Sequence, residues 1–271
     1  MRWILGSVAA TIVVVIAIFN VVEDDFVPSG YCVAKVGETR VEVDLEQAKW
    51  ASLMAAMAHQ RGLPPRATSI AIATAYQESK IRNIDYGDRD SIGLFQQRPS
   101  QGWGTVEQIM DPIYSTGKFY DDLARVDNYQ NLEITVAAQT VQRSAFPDAY
   151  ADHEADARAL ASALRGHSKA AFACQSDATE PSDADLTEWL NEAWGPVKVE
   201  SAEDSQSIKL SGKDVGSRGW ALAQFIVANS AEFAVTEVTF DGKRWQSGQK
   251  DPGWAKDANA SGSEVRFRLA N

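Results

Sequence analysis

Two neighbouring stretches, Ala73-Thr74-Ala75-Tyr76-Gln77-Glu78-Ser79-Lys80-Ile81-Arg82-Asn83 and Asp88-Arg89-Asp90-Ser91-Ile92-Gly93-Leu94-Phe95-Gln96-Gln97-Arg98-Pro99, decide how this 271-residue chain is read. The first closes a helix that Pro64-Pro65 is suited to start. Its apolar positions Ile70, Ile72, Ala73, Ala75 and Tyr76 predict near-complete burial. Glu78 stands at its end. A carboxyl there loses hydration, which raises its pKa and keeps it protonated near neutrality, the state a general acid needs. The bland reading is a structural acid paired with Lys80, Arg82 or a loop amide. From Arg82 to Gly104 the density of Gly, Asp, Asn, Pro and Ser predicts an irregular loop. The residues alone therefore give a buried acid beside a polar loop.

Outward from this centre, Tyr31 to Val43 alternates in strand fashion around Gly37-Glu38, predicting a hairpin. Asp44 with Gln47 predicts a capping box for a helix running to about Arg61, which Gly62 ends. Helix-like periodicity resumes over 106–110, 112–126, 132–144 and 148–164. Gln175 to Ser182 is polar and reads as a linker. Beyond it, a helix capped by Asp183 or Asp185, a helix over 218–233, strands over 235–240 and 264–269, and an Asp241-Gly242 turn predict a small α+β module. Trp220, Trp245 and Trp254 form either its core or an aromatic binding face.

Trp3 to Val22 is a run of 20 residues without a charge, long enough to cross a bilayer at about 1.5 Å per residue. Arg2 before it and Glu23-Asp24-Asp25 after it predict a single-pass anchor in the cell membrane, N-terminus inside and the rest outside. A cleaved signal peptide is the competing reading. In that compartment the two cysteines, Cys32 and Cys174, are expected to form a disulfide rather than remain buried thiols. The formal charge of −11 is concentrated in residues 175–205, which hold nine acids and one lysine. No dense Lys/Arg cluster exists, which argues against nucleic acid as a partner. His59, His153 and His167 share no metal-ligand spacing with the cysteines.

Glu78-Ser79 followed by Gly93-Leu94-Phe95-Gln96 resembles the signature of the soluble lytic transglycosylase and goose-type lysozyme superfamily. That signature is Glu-Ser and, about a dozen residues on, Gly-Ala-x-Gly-Leu-Met-Gln. The resemblance covers about residues 45–164 and is strong over 73–99. It departs at Asp90-Ser91, where the family has Gly-Ala, and at Val136-Ala-Ala-Gln139, near the family's Ala-Tyr-Asn. It implies a lysozyme-like fold, a groove for peptidoglycan glycan strands, and cleavage between N-acetylmuramic acid and N-acetylglucosamine without metal or cofactor. Glu78 would be the catalytic residue. Ser79, Gly93, Gln96 and Asp90 would border the substrate, with Gln139, Gln142 and Tyr150 in place of later groove residues. Trp103 would stack on a sugar or cap a core.

One carboxylate suffices for a transglycosylase, in which Glu78 acts as acid and then as base. A muramidase needs a second acid, with Asp90 or Asp88 as candidates. A non-catalytic glycan-binding scaffold is the third reading. The expected architecture is an anchor (1–25), stalk and hairpin (26–44), a mainly α lysozyme-like domain (45–174), an acidic linker (175–182) and a small α+β domain (183–271).

Overall fold

The computed structural model describes residues 30–142, 147–177 and 182–270. The expected membrane anchor lies outside these residues. Among the described ones, no helix is long and apolar enough to cross a membrane.

Strands β1 (Tyr31–Val36) and β2 (Thr39–Asp44) form the expected hairpin, turning at Gly37 with φ +59°. Asp44 then opens α1 (Leu45–Gln60) through a capping box: the Gln47 N–H donates to Asp44 Oδ1 at 2.9 Å, and the Asp44 N–H donates to Gln47 Oε1 at 3.0 Å. Helix α2 (Pro65–Ser79) follows after Gly62. Both helices are rich in alanine and are buried on every side, from 51 to 58 in α1 and from 67 to 75 in α2. Small side chains let neighbouring helices approach closely, so α1 and α2 form the centre of the packing.

Around them lie α3 (Val106–Met110), α4 (Pro112–Leu123), α5 (Ile134–Gln142) and α6 (Glu154–Leu164). The single helix expected over 148–164 is instead a 3-10 turn, Pro147–His153, leading into α6. Strand β3 (Phe172–Gln175) then pairs antiparallel with β1, giving a three-stranded sheet of order β2-β1-β3. Cys32 is opposite Cys174 in that pairing, and the two are joined in a disulfide.

The C-terminal part holds α7 (Leu186–Trp194), capped by Asp185, and α8 (Val215–Ala228). Its six-stranded antiparallel sheet is built from β4 (Val199–Ser201), β5 (Gln206–Lys209), β6 (Val235–Phe240), β7 (Lys243–Gln246), β8 (Ala255–Lys256) and β9 (Glu264–Leu269), in the order β4-β5-β9-β6-β7-β8. The Asp241-Gly242 turn joins β6 to β7 with positive φ at both residues, as a two-residue hairpin requires. Gly219 on α8 faces Phe240 so closely that an added Cβ would stand 2.0 Å from its ring, so helix and sheet meet only where no side chain intervenes.

The expected mainly α lysozyme-like domain with a small module as companion is corrected by these observations. Eight α-helices and nine strands in two sheets make the described chain a mixed α+β fold. One hydrophobic cluster takes residues from both parts, including Leu53, Ile72, Phe172, Trp220 and Phe267. The Gln224 side chain on α8 accepts from the N–H groups of Ala171 and Phe172 at 2.8 and 2.7 Å and donates to the Ala163 carbonyl at 2.6 Å. Trp245 and Trp254 donate their indole N–H groups to the carbonyls of Cys174 and Phe172 at 2.9 and 2.8 Å, satisfying the outer edge of β3. Trp220 and Trp245 are buried, so these tryptophans build a core rather than a binding face. Gln175, read as the start of a linker, is the last residue of β3, and Ser176 after it is buried.

Candidate active site

Helix α2 ends abruptly after Glu78 and Ser79. Lys80 and Ile81 both take left-handed backbone conformations, φ 59° and 58°, and the Ile81 N–H donates back to the Ala75 carbonyl at 3.0 Å. A β-branched residue in that region is sterically unfavourable; complete burial of the Ile81 side chain holds it there. The sharp stop leaves Glu78 on the last turn, partly buried and facing side chains from later in the chain.

The Tyr150 hydroxyl, on the 147–153 turn, donates to Glu78 Oε1 at 2.6 Å. Gln142, at the end of α5, also hydrogen-bonds the Glu78 carboxylate with its side chain. Burial raises the Glu78 pKa above its ordinary value of 4.5, and these two hydrogen bonds pull partly the other way. The group is thus a desolvated carboxylic acid that retains partners for its ionised form. No carboxylate–cation pair involves Glu78 among the described residues, so the structural-acid reading with Lys80 or Arg82 fails: Arg82 instead binds Asp44 and Glu46.

The Gly93-Leu94-Phe95-Gln96 turn is held from two sides by its backbone carbonyls. Ser79 Oγ donates to Leu94 O at 2.8 Å, and Gln142 Nε2 donates to Phe95 O at 2.7 Å. Paired backbone bonds between Ile92 and Gln97 close the turn, while Phe95 stacks on Phe119 with ring centroids 4.4 Å apart. Ser79 is buried and fixes the loop rather than meeting a ligand. Gly93 has φ +77°, and a Cβ there would lie 2.9 Å from the Ile109 carbonyl oxygen. Its glycine is demanded by α3 rather than by substrate approach. The Gln96 amide donates to the Tyr86 carbonyl at 3.2 Å, an internal use of the group expected to meet a sugar.

Asp90 is also engaged. Arg98 Nε donates to its Oδ1 at 2.7 Å and the Ser100 N–H to its Oδ2 at 2.8 Å, and the Ser100 and Arg98 hydrogen bonds hold its pKa far below the usual carboxylate range. Asp88 is exposed at the loop surface. The chain matches no known family model and no curated protein.

Gln142 forms one wall of a cleft of about 440 Å³, together with Gln101, Trp103, Asp122 and Val141. Trp103 is partly buried against the core, and its carbonyl accepts from the Tyr114 hydroxyl at 3.1 Å. Of the predicted residues, the structure therefore gathers Glu78, Gln142 and Tyr150 by direct contact and brings Trp103 into the adjoining cleft. Asp122 and Gln101 were not singled out by sequence. Asp122 lies on α4, far along the chain, in a pattern that reads as an ordinary exposed helix acid paired with Arg125 at 2.6 Å.

A larger cleft of about 660 Å³ lies where α1 meets α8, lined among others by Leu45, Trp50, Asn229 and Glu232. Its charges are matched internally, Lys49 with Glu232 at 2.5 Å and Arg82 with two acids. Glu78 is among the lining residues of neither cleft, and the smaller one connects to it through Gln142. Among the described residues, no group of three or more His, Cys, Asp or Glu is placed to hold a metal ion.

Proposed function

We propose that the protein cleaves the glycan strands of peptidoglycan outside the cytoplasm, with Glu78 as the proton-transferring residue. The observation that carries this reading is the desolvated Glu78 carboxyl, held by Tyr150 and by Gln142, which itself lines a cleft with Trp103, Gln101 and Asp122. A raised pKa supplies the protonated form needed to deliver a proton to a glycosidic oxygen. The two hydrogen bonds stabilise the carboxylate left behind. An aromatic ring with amide and carboxylate groups nearby suits a polyhydroxylated sugar.

The motif resemblance to soluble lytic transglycosylases and goose-type lysozymes points to the bond after N-acetylmuramic acid. In that reading Glu78 protonates the leaving oxygen, and its carboxylate then takes the proton from the muramyl C6 hydroxyl, closing a 1,6-anhydro ring. The engagement of Asp90 by Arg98 and Ser100, and the solvation of Asp88, favour this one-carboxylate route over hydrolysis with either as second acid. The disulfide supports an extracellular setting.

Purified sacculi incubated with the protein are expected to release fragments with anhydro-muramyl ends, identified by mass spectrometry, and Glu78→Gln is expected to abolish release. Reducing ends would instead favour the muramidase. Equal release by both proteins would remove Glu78 from the chemistry, and glycan binding without cleavage would leave the scaffold reading.

A further inference from the structure

We propose that His153 is a positioning residue for Glu78: it fastens the 147–153 turn to the end of α2 so that the Tyr150 hydroxyl stays on the Glu78 carboxylate. This rests on the reading of Glu78 as the proton donor. Three consecutive residues of α2 meet the turn. The Tyr76 ring stacks on the His153 imidazole, with centroids 4.6 Å apart and planes 19° from parallel. Gln77 Oε1 lies 3.1 Å from His153 Nε2, and Glu78 Oε1 accepts from Tyr150 at 2.6 Å.

Spacing explains why one turn makes all three contacts. In a 3-10 helix residues three apart eclipse, so Tyr150 and His153 project from the same side. His153 also occupies the N-cap position of α6, yet its side chain makes no capping hydrogen bond there and is committed to α2. Burial, then the charge of Lys80, lowers its pKa below 6.5 against the opposing pull of Asp152 and Asp156. A neutral imidazole carries one N–H, and the Gln77 contact assigns it to Nε2.

Removing the latch should remove a hydrogen bond that favours the Glu78 carboxylate and so raise the Glu78 pKa further. For His153→Ala we expect kcat on glycan to fall about tenfold with KM little changed, and the alkaline limb of the pH–rate profile to move to higher pH. His153→Phe, which keeps the stack, and His153→Gln, which keeps a donor for Gln77, should each recover part of the loss. Tyr150→Phe should shift the limb by itself, and adding His153→Ala to it should shift it no further.

The decisive measurement is an NMR titration of the Glu78 carboxyl carbon in the full chain, wild type and variants, which needs no turnover. An upward shift in His153→Ala that is absent when Tyr150 is already Phe supports the proposal. An unchanged Glu78 titration in folded His153→Ala, or shifts from the two substitutions that add independently, would overturn it. If the titrations behave as expected while the wild-type protein releases no glycan fragments, the positioning role stands and the enzymatic reading fails.

Discussion

Glu78 is held where its charge is least welcome, and this has a thermodynamic signature. Its folded-state pKa is raised above 4.5, so the folded state binds the proton more tightly than the unfolded chain. Stability associated with the neutral carboxyl is fully present below pH 4.5 and is lost as pH rises through the folded pKa. Glu78→Gln cannot ionise, so the variant should be more stable than wild type at neutral pH, with the advantage shrinking towards pH 4.5; urea midpoints across that range test it. His59 has the opposite dependence. It lies against Trp194 with ring centroids 5.0 Å apart, and burial, then Arg165 and Arg218, lower its pKa below 6.5. Its neutral form is therefore favoured in the fold, and stability is lost as pH falls below 6.5 towards the folded value. Replacing His59 with Gln should flatten that part of the stability profile, as followed by chemical denaturation.

The 93–96 turn that carries the motif is held by contacts from α2, α3 and α5. Its shape depends on Gly93, whose positive φ and 2.9 Å approach of a hypothetical Cβ to the Ile109 carbonyl leave no room for a side chain. Because the obstructing atom is backbone, α3 itself would have to move. Gly93→Ala should cost about 2–4 kcal/mol in urea unfolding. It should also impair activity without touching a ligand, because Leu94 and Phe95 lose their alignment with Ser79 and Gln142. Sequence placed the glycine and the turn correctly but assigned the reason to substrate. The Ile109 carbonyl that sets the constraint comes from α3, and no local pattern announces that contact.

Across the whole molecule, the two parts of the chain depend on each other for burial. Phe172 and Cys174 have backbone carbonyls bonded by Trp254 and Trp245, and α1 packs against α8, where Asn229 donates to Ser52 Oγ at 3.0 Å. Ending the chain after Ser182 would strip α8 from the buried faces of α1 and α6 and leave the β3 edge without those donors. The truncated protein is expected to unfold or aggregate, and the full chain to melt in one cooperative transition by calorimetry; separate transitions would show independent parts. The Cys32–Cys174 bond closes a 142-residue loop, and breaking it should lower stability by on the order of 5 kcal/mol in the chain-entropy model, seen as a lower melting temperature under reductant.

Sequence alone determined the features that arise between near neighbours. These include the capping box at Asp44, the Gly37 and Asp241-Gly242 turns, the buried α2 helix with Glu78 at its end, and strands such as 235–240 with apolar alternation. Each follows from backbone dihedral preferences or a hydrogen bond spanning a few residues. The Cys32–Cys174 pairing was also legible, because the chain has only two cysteines. Tertiary structure alone decided the two-sheet α+β architecture, since β3 is four residues long and gains its definition from β1 and the surrounding side chains. It likewise decided that Ser79 and Gly93 support the turn, that Asp90 is bound by Arg98, and that Tyr150 meets Glu78 across 72 positions. Such contacts depend on where whole helices come to rest, and that is set by complementary packing of buried surfaces rather than by any pattern within one segment.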